Sequence, residues 1–199
     1  MFVGRFNASN LAAVYGACVL LGIPSDEAMV ALSSLRPVAG RFQPFRSKNG
    51  VTAIVDYAHT PDALVNVLDT IGEVAPEGAA VNTVCGCGGN RDKGKRPLMA
   101  KAAADRSDTV ILTSDNPRDE DPDAILADML AGLDAADRER VTTIVDRREA
   151  IRHAVAVARP GDIILVAGKG HETEQIIGDK VLHFDDRQEV QQALNNLEC

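Results

Sequence analysis

Apolar runs alternate with amphipathic stretches along most of this chain, and the alternation predicts its architecture. From residue 51 onward, each short apolar run is followed by a stretch with helical periodicity. Strands separated by amphipathic helices are typical of βαβ units in a mostly parallel sheet. The fold class predicted is therefore α/β, with a Rossmann-like, mostly parallel sheet flanked by helices. The predicted strands are residues 51–55, 79–84, 109–113, 141–145 and 162–167, and the predicted helices are residues 61–74, 97–106, 122–133 and 147–158.

The carboxy-terminal tail changes from this alternation to a hairpin pattern. Residues 175–177 and 180–184 flank the dipeptide Gly178-Asp179, which is typical of a tight turn between antiparallel strands. Asp186 is a candidate cap for a final helix. We therefore predict a C-terminal hairpin and one more helix after the last strand of the sheet.

The first 50 residues have a different organisation. Residues 1–36 predict two helices, the first of them capped by Asn7 or Ser9. Two helices cannot bury their apolar faces alone, so we interpret this segment as an N-terminal helical remnant of a larger domain, with a cover for the next domain as the alternative. Residues 37–50 contain two prolines and two glycines, which is typical of a linker with one short strand. Residues 51–199 then form the α/β domain.

Composition restricts the classes of function open to this chain. Its 199 residues are 45% apolar and 25% charged, an ordinary profile for a globular protein. The net charge of −8 opposes nucleic-acid binding, because phosphate contacts need a basic stripe. The longest apolar run, residues 11–21, is too short to span a bilayer, so we expect no membrane partner.

The cysteines point to a reducing compartment. The four of them lack the spacing of a zinc site, and we find no signal peptide before them. We interpret Cys85 and Cys87 as small residues of a tight loop in a reduced, cytoplasmic protein, and expect no metal ligands in this chain. A metal or redox pair formed by these two cysteines is the alternative.

Three polar loops follow three of the predicted strands. They are residues 85–96, 114–118 and 168–172. Because ligands bind at the carboxyl ends of the strands in an open α/β sheet, we expect the three loops to line one crevice. Their mixture of carboxylates and guanidiniums suits a ligand that carries both ammonium and carboxylate groups, such as an amino acid.

The tetrapeptide Asp115-Asn116-Pro117-Arg118 is the most informative of these segments. Pro117 restricts its own backbone and that of Asn116, which predicts a rigid loop. Arg118 offers a bidentate fork for a carboxylate, and Asp115 accepts hydrogen bonds from an ammonium. The alternative is an ordinary polar turn with solvated charges, because Asp, Asn and Pro are all frequent in turns.

The glycine-rich loop does not match a nucleotide-binding motif. Arg91 stands where the third glycine of GxGxxG belongs, and no GxxxxGK[ST] occurs in the chain. We expect this flexible loop to present Arg91 and Lys95 over the crevice, with a solvated basic loop as the alternative. In the third loop, two glycines permit close backbone approach. There Glu172 suits an ammonium, and Lys169 or His171 suits a carboxylate or phosphate.

The segment after the first predicted strand has features of a nucleotide contact. Asp56 ends that strand, where carboxylates commonly receive ribose hydroxyls, and His59 presents a flat ring suited to stacking on a base. A compatible alternative is that this segment caps the helix that begins at Pro61.

These motifs, in this order, resemble those of the Mur ligases, the ATP-dependent amide ligases of peptidoglycan synthesis. The resemblance spans the whole chain, from Gly4-Arg5-Phe6-Asn7 to the loop at residues 168–172. Asp115-Asn116-Pro117-Arg118 resembles the signature of the members that add meso-diaminopimelate. The resemblance implies a carboxy-terminal Rossmann-like domain that is preceded by the end of a central ATPase domain.

The resemblance also implies ligands for individual residues. Meso-diaminopimelate is assigned to Arg91, Asp115, Asn116, Pro117, Arg118, Gly168 and Glu172. ATP is assigned to Asn7, Asn10, Arg41, Asp56 and His59. The Mg²⁺ ligands and the pocket for the UDP-MurNAc-dipeptide are expected in domains outside this chain. We therefore expect no catalytic residue here, and no turnover by the chain alone.

Two other functions stay open at the level of sequence. One is a Mur ligase that adds another amino acid, which Arg118 opposes because lysine lacks a distal carboxylate. The other is a non-catalytic amino-acid-binding module, which the absent phosphate loop favours for the chain as it stands. A nucleotide-dependent dehydrogenase is opposed by the broken GxGxxG motif.

Overall fold

Strands and helices alternate through the described part of the chain, residues 5–35 and 38–197 of a computed structural model. The strands are β1 (Gln43–Arg46), β2 (Thr52–Asp56), β3 (Val81–Cys87), β4 (Thr109–Ser114), β5 (Val141–Thr143), β6 (Ile163–Ala167), β7 (Glu174–Ile177) and β8 (Lys180–His183). The helices are α1 (Arg5–Leu20), α2 (Ser25–Ser33), α3 (Pro61–Val74), α4 (Lys95–Ala104), α5 (Pro122–Leu130), α6 (Ala135–Arg138), α7 (Arg147–Val157) and α8 (Asp186–Asn196). None of these described helices is long and apolar enough to cross a membrane.

The central sheet has six strands in the order β1-β2-β6-β3-β4-β5. β1 runs antiparallel to β2, and the other neighbouring pairs are parallel. The apolar runs explain this arrangement, because β3 and β6 are buried along their whole length, as strands covered on both faces must be. The predicted α/β class with a mostly parallel sheet is confirmed.

Alternate side chains of the strands pack against helices on the two faces of the sheet. Val55, Val84 and Val166 belong to a buried cluster with α7 and α8, which contribute Ile151 and Leu194. The helix α4 contacts both α3 and α5, and α4 and α5 contact β3 and β4. Because successive side chains of a strand point to opposite faces, one apolar run supplies core residues to the helix layers on both faces of the sheet.

Side-chain caps define where the helices of the sheet region begin. Thr60 accepts a hydrogen bond from the backbone of α3, and Asp146 does the same at the start of α7. The predicted cap of the last helix is wrong by one residue, because Asp185 caps α8. Asp186 is the first helical residue and is fully buried, which gives it a different role.

Contacts divide the chain into two compact units, residues 1–38 and 39–199. In the first unit α1 packs against α2, and both Asn7 and Ser9 lie inside α1, so neither caps it as predicted. In the second unit β1 is the short strand predicted within residues 37–50, and it pairs with β2. The assignment of the first helices to an ATPase domain stays a prediction.

The predicted C-terminal hairpin is confirmed, with β7 antiparallel to β8. Its first strand contacts the segment that follows β4. The N–H of Arg118 donates to the carbonyl oxygen of Ile176 over 3.0 Å, and the N–H of Gly178 donates to the carbonyl oxygen of Arg118 over 2.7 Å. The hairpin therefore forms one wall of the region at the carboxyl ends of the strands.

Candidate functional site

The three polar loops predicted from the sequence meet at the carboxyl ends of β3, β4 and β6. Asn116, after β4, donates from Nδ2 to Oε2 of Glu172, after β6, over 3.1 Å. The N–H of Gly89, after β3, donates to the carbonyl oxygen of Asn116 over 2.9 Å. The three loops are neighbours as expected, but the cavity beside them is lined by the loops after β4 and β6 and by the hairpin, and by no residue of the first loop, of which residues 85–87 belong to β3.

A cavity of about 400 Å³ opens between the loop after β4, the loop after β6 and the hairpin. It is lined by Asn116, Arg118, His171, Glu172, Thr173, Glu174 and Ile176. The lining therefore combines a guanidinium, an amide and two carboxylates around one space. Such a small number of convergent polar groups is typical of a site that orients a small ligand.

Close packing between the loops explains the glycines at the end of β3. A Cβ added to Gly89 would lie 1.8 Å from the carbonyl oxygen of Pro117, and one added to Gly86 would lie 2.1 Å from that of Thr113. A side chain cannot approach a backbone oxygen so closely, so both positions require glycine. Gly86 thus permits close contact between β3 and β4, and Gly89 permits contact between the loops that follow them, in place of the flexible presentation of basic side chains that we expected.

Arg118 is held in a left-handed backbone conformation with a φ of 52°. Such a conformation is strained for a residue with a side chain, and it persists where the surrounding structure fixes it. Here the hairpin holds the backbone, and Nη1 donates to the carbonyl oxygen of Gly89 over 2.9 Å. Hydrogen bonds from the guanidinium to described residues involve Nη1 alone. Nε and Nη2 are therefore left to bind a carboxylate.

The side chain of Asn116 is fixed at both ends. Oδ1 accepts from Nζ of Lys169 over 2.8 Å and from the N–H of Ile176 over 3.1 Å. Nδ2 donates to the carboxylate of Glu172. Because two donors face one end of the amide and a carboxylate faces the other, only one orientation satisfies all three partners.

Lys169 and Asp115 are buried and do not line the cavity. Nζ of Lys169 donates to the carbonyl oxygen of Glu174 over 2.7 Å and lies 3.4 Å from Oδ1 of Asp115. Burial lowers the pKa of Lys169, while the carboxylate of Asp115 favours its charged form. Of the two residues expected to suit a ligand carboxylate or phosphate, Lys169 is excluded because the loop network uses its ammonium, whereas His171 lines the cavity.

Gly168 and Pro117 determine the course of the backbone beside the cavity. Gly168 has a φ of 120°, which residues with a side chain rarely adopt. Pro117 is buried, and its carbonyl oxygen lies against Gly89. Both residues thus act on the shape of the crevice, and a direct contact of either with an amino acid stays a prediction.

Arg147 and Asp186 form a buried ion pair that we did not predict. Both side chains are 0% exposed, and Nε of Arg147 lies 2.7 Å from Oδ1 of Asp186. Nη1 donates to the carbonyl oxygen of Ser114 and Nη2 to that of Ala167. Burial opposes the charge of Arg147, but the attraction of Asp186 raises its pKa above the ordinary value. The pair joins the ends of β4 and β6.

The residues assigned to ATP in the second unit lie around Tyr57, which we did not predict as a site residue. The guanidinium of Arg41 lies over the Tyr57 ring at 4.3 Å from its centre. The rings of His59 and His171 lie 4.7 Å and 4.9 Å from it. This aromatic cluster connects the segment after β2 to the loop after β6. In the sequence, the position of Tyr57 between Asp56 and His59 is the only signal for it.

The carboxylate of Asp56 holds the backbone around this cluster. Oδ1 accepts from the N–H of Ala58 and Oδ2 from the N–H of Phe42, each over 2.7 Å. Asp56 is buried, so its first role is to fix the two segments that it bridges. Contact with a ribose stays a prediction.

Other predicted residues lie apart from the cavity lining. Arg91 is exposed and donates to a neighbouring backbone carbonyl over 3.3 Å. Nζ of Lys95 donates to the carbonyl oxygen of His59 over 2.8 Å, so Lys95 binds the segment after β2. Asn7 and Asn10 lie on α1, in the first unit. The assigned ligands of Arg91, Asn7 and Asn10 stay predictions.

The mostly parallel sheet and the polar crevice at its carboxyl edge define a Rossmann-like α/β domain. The family described as Mur ligase, glutamate ligase domain matches residues 40–170. The chain belongs to this family, as its motifs indicated.

Relatives with high identity carry one name. The UDP-N-acetylmuramoyl-L-alanyl-D-glutamate–2,6-diaminopimelate ligases of Bacteroides thetaiotaomicron and Bacteroides fragilis are each 60% identical over 194 residues. Those residues are 98% of this chain and 40% of each relative. A solved structure with the same name has a TM-score of 0.78 at 43% identity, and covers 100% of this chain and 40% of its own. The chain thus spans about 40% of the length of the relatives it matches.

Proposed function

We propose that this chain is the carboxy-terminal part of an ATP-dependent amide ligase that adds meso-diaminopimelate to UDP-N-acetylmuramoyl-L-alanyl-D-glutamate. The observation that carries the proposal is the cavity in which Arg118, Asn116 and Glu172 meet. The relatives support it, since their name is that of a 2,6-diaminopimelate ligase. On this proposal the cavity is the amino-acid subsite, and the rest of the ligase binds the nucleotide-linked dipeptide.

Opposite charges in one cavity select an amino acid with a second carboxylate. Nε and Nη2 of Arg118 pair with that carboxylate in a bidentate, charge-assisted contact. Glu172 receives the adjacent ammonium, and Nδ2 of Asn116 orients the Glu172 carboxylate by donating to it over 3.1 Å. Lysine lacks the second carboxylate, so it leaves Arg118 without a partner. An unmade hydrogen bond of a partly buried group costs about 1–3 kcal/mol or more, which is enough to reject lysine.

The contribution of this chain to the ligation is orientation. ATP transfers its terminal phosphoryl group to the side-chain carboxyl of the glutamate in the dipeptide, and ADP leaves. The neutral amine of meso-diaminopimelate then attacks the acyl carbon, phosphate leaves as the amide forms, and the nitrogen loses a proton to solvent. The attacking nitrogen must lie within about 3–3.5 Å of the acyl carbon. Arg118 and Glu172 hold the distal end of the amino acid, so they fix the reacting amine without touching it. We assign no proton transfer to this chain.

The ATP part of the proposal rests on the aromatic cluster around Tyr57. Arg41 and His59 lie against that ring, and they offer a flat, cationic surface to a nucleotide. Within residues 5–35 and 38–197, no group of three His, Cys, Asp or Glu side chains is placed to hold a metal ion. We therefore assign the Mg²⁺ that accompanies ATP to the rest of the ligase, and derive no step through it here.

Substitution of Arg118 in the complete ligase tests the proposal. We expect Arg118→Ala to raise the KM for meso-diaminopimelate by about 10- to 100-fold, because a charged hydrogen-bonding pair is lost. The KM for ATP should stay within a factor of two of the wild-type value. Arg118→Lys is the matched variant: it keeps the charge but loses the fork, so it should restore little. Equal rises for both substrates would contradict the assignment.

The second candidate function is a non-catalytic module that binds an amino acid. The sequence favours it for the chain alone, since no phosphate-loop motif is present. We expect the chain by itself to be inactive, because closure of the whole ligase must bring the cavity to the acyl phosphate. Calorimetric titration with meso-diaminopimelate, with L-lysine as control, measures binding. Assay of the complete ligase with the dipeptide substrate then decides between the two functions, because a pure binding module forms no amide.

A further inference from the structure

Lys169 is a buried cation at the centre of the loop network. Its side chain is 0% exposed, yet its ammonium has oxygen neighbours on the loop after β4, on the loop after β6 and on β7. Nζ lies 2.8 Å from Oδ1 of Asn116, 2.7 Å from the carbonyl oxygen of Glu174, 3.4 Å from Asp115 and 3.7 Å from Glu172. A buried ammonium is costly unless it is paired and hydrogen-bonded, and these four oxygens meet that requirement.

The contact with Asn116 has a consequence for the cavity. A side-chain amide has an accepting end and a donating end, and its two orientations differ by a half turn. Lys169 and the N–H of Ile176 both need the accepting end, so the donating end faces Glu172 and the cavity. We propose that Lys169 is a positioning residue of the amino-acid subsite, which acts by fixing the orientation of the Asn116 amide.

The charges around Lys169 support the same role. Two carboxylates, Asp115 and Glu172, share the one ammonium. Asp115 is buried and its Oδ1 has no hydrogen-bond partner among the described residues, so its charge is compensated by the ammonium of Lys169 and by the guanidinium of Arg147. The side chain of Glu172 is 34% exposed and lies in the cavity lining. One negative charge is thus neutralised in the interior, and one is left facing the cavity, where a ligand ammonium binds.

The inference rests on the proposed function, and a double-mutant cycle in the complete ligase tests it. Lys169→Met removes the charge and keeps the length of the chain. We expect it to raise the KM for meso-diaminopimelate about tenfold or more with little change in the KM for ATP. Asn116→Ala should have a similar effect, and the double variant should be no worse than Asn116→Ala. Additive effects would overturn the inference, because independent residues add.

A matched control separates positioning from general loss of stability. Asp162 holds the N–H groups of Ala80 and Arg159, at the opposite end of the sheet from the crevice. Asp162→Asn should therefore lower the midpoint of thermal unfolding without raising the KM for meso-diaminopimelate. If Lys169→Met and Asp162→Asn change the KM equally at equal loss of stability, Lys169 has only a structural role.

Asn116→Asp tests the same inference without any change at Lys169. The substitution is isosteric and keeps the acceptor that Lys169 needs, but it places a second carboxylate about 3.1 Å from that of Glu172, so we expect a lower midpoint of thermal unfolding, to be compared with that of Asp162→Asn. It replaces the donor that faces Glu172 with a carboxylate oxygen, so we expect the KM for meso-diaminopimelate to rise about tenfold or more. An unchanged KM would mean that the orientation of the amide does not matter.

A spectroscopic readout keeps the inference testable if the proposed function itself fails. With asparagine labelled with ¹⁵N in this chain, the side-chain NH₂ of Asn116 should give one resolved pair of signals. In Lys169→Met we expect this pair to shift and its protons to exchange faster with water. Unchanged signals would overturn the role of Lys169. A wild-type ligase that does not use meso-diaminopimelate would instead refute the proposed function.

Discussion

Removal of one partner from the buried Arg147–Asp186 pair should be among the most destabilising conservative changes in this protein. The pair lies between α7 and α8, and Arg147 also binds the last carbonyl groups of β4 and β6. Asp186→Asn keeps the shape of the side chain and removes its charge. The guanidinium then stays buried with neutral acceptors only.

The magnitude follows from the burial and the number of hydrogen bonds. Breaking a fully buried ion pair by removing one partner costs about 3–5 kcal/mol, because the other charge is left without compensation. For a protein of this size, that corresponds to a fall of roughly 6–20 °C in the unfolding midpoint. Arg147→Met should cost at least as much, since two backbone carbonyls lose their donor as well. The double variant Arg147→Met/Asp186→Leu should cost clearly less than the sum.

Urea unfolding followed by far-ultraviolet circular dichroism is the appropriate assay, because the chain has no tryptophan and two tyrosines. Arg152→Met is the matched control. Arg152 also lies on α7, and both side chains of its ion pair with Glu149 are exposed, at 50% and 58%. That change should cost less than about 1 kcal/mol. A loss below 1 kcal/mol for Asp186→Asn, or strict additivity in the double variant, would refute the reasoning.

Three further predictions concern the packing, the pH response and the thiols. Gly89→Ala should lower both the stability and the affinity for meso-diaminopimelate, because the added Cβ lies 1.8 Å from a carbonyl oxygen. The control is Gly72→Ala in α3, where the added Cβ meets open space, and calorimetry should find its stability unchanged or higher. Arg96 and a backbone N–H lower the pKa of Glu120 to about 2. That carboxylate therefore stabilises the fold above its ordinary value of 4.5, and the contribution is lost as the pH falls towards 2. The unfolding midpoint of Glu120→Gln should accordingly approach that of the wild type between pH 5 and 2, and a constant gap would contradict this. Burial raises the pKa of Cys85 to about 12, so iodoacetamide at pH 8 should leave it unlabelled in the folded protein, as mass spectrometry would show.

Local sequence determined most of the fold. The apolar runs at β2, β3, β4 and β6 are long enough and β-branched enough to specify buried parallel strands, and the amphipathic stretches between them specify the helices. Pro61 and Pro122 mark the starts of α3 and α5, because proline suits the first helical turn. The positions of the three polar loops followed from the same pattern, because a polar segment after a buried strand must lie at the edge of the sheet.

Helix boundaries and short elements were less accessible from sequence. The four-residue helix α6 was not predicted, since one turn has too few residues to show a period. β3 continues through Cys85-Gly86-Cys87, which we predicted to be a loop because of its glycine. The reason is tertiary: Gly86 continues the strand because the neighbouring β4 lies too close for any side chain there.

The tertiary structure alone decided which charges are buried. Arg147 and Asp186 stand at the starts of two helices, where charged residues are ordinarily solvated, and no local pattern marks them as partners 39 residues apart. Lys169 was predicted to reach a ligand, and the structure places it in the interior instead. The physical reason is the same in both cases. The cost of burying a charge depends on the partners that the fold brings to it, and those partners come from other loops, whereas hydrophobic periodicity is a property of neighbours along the chain.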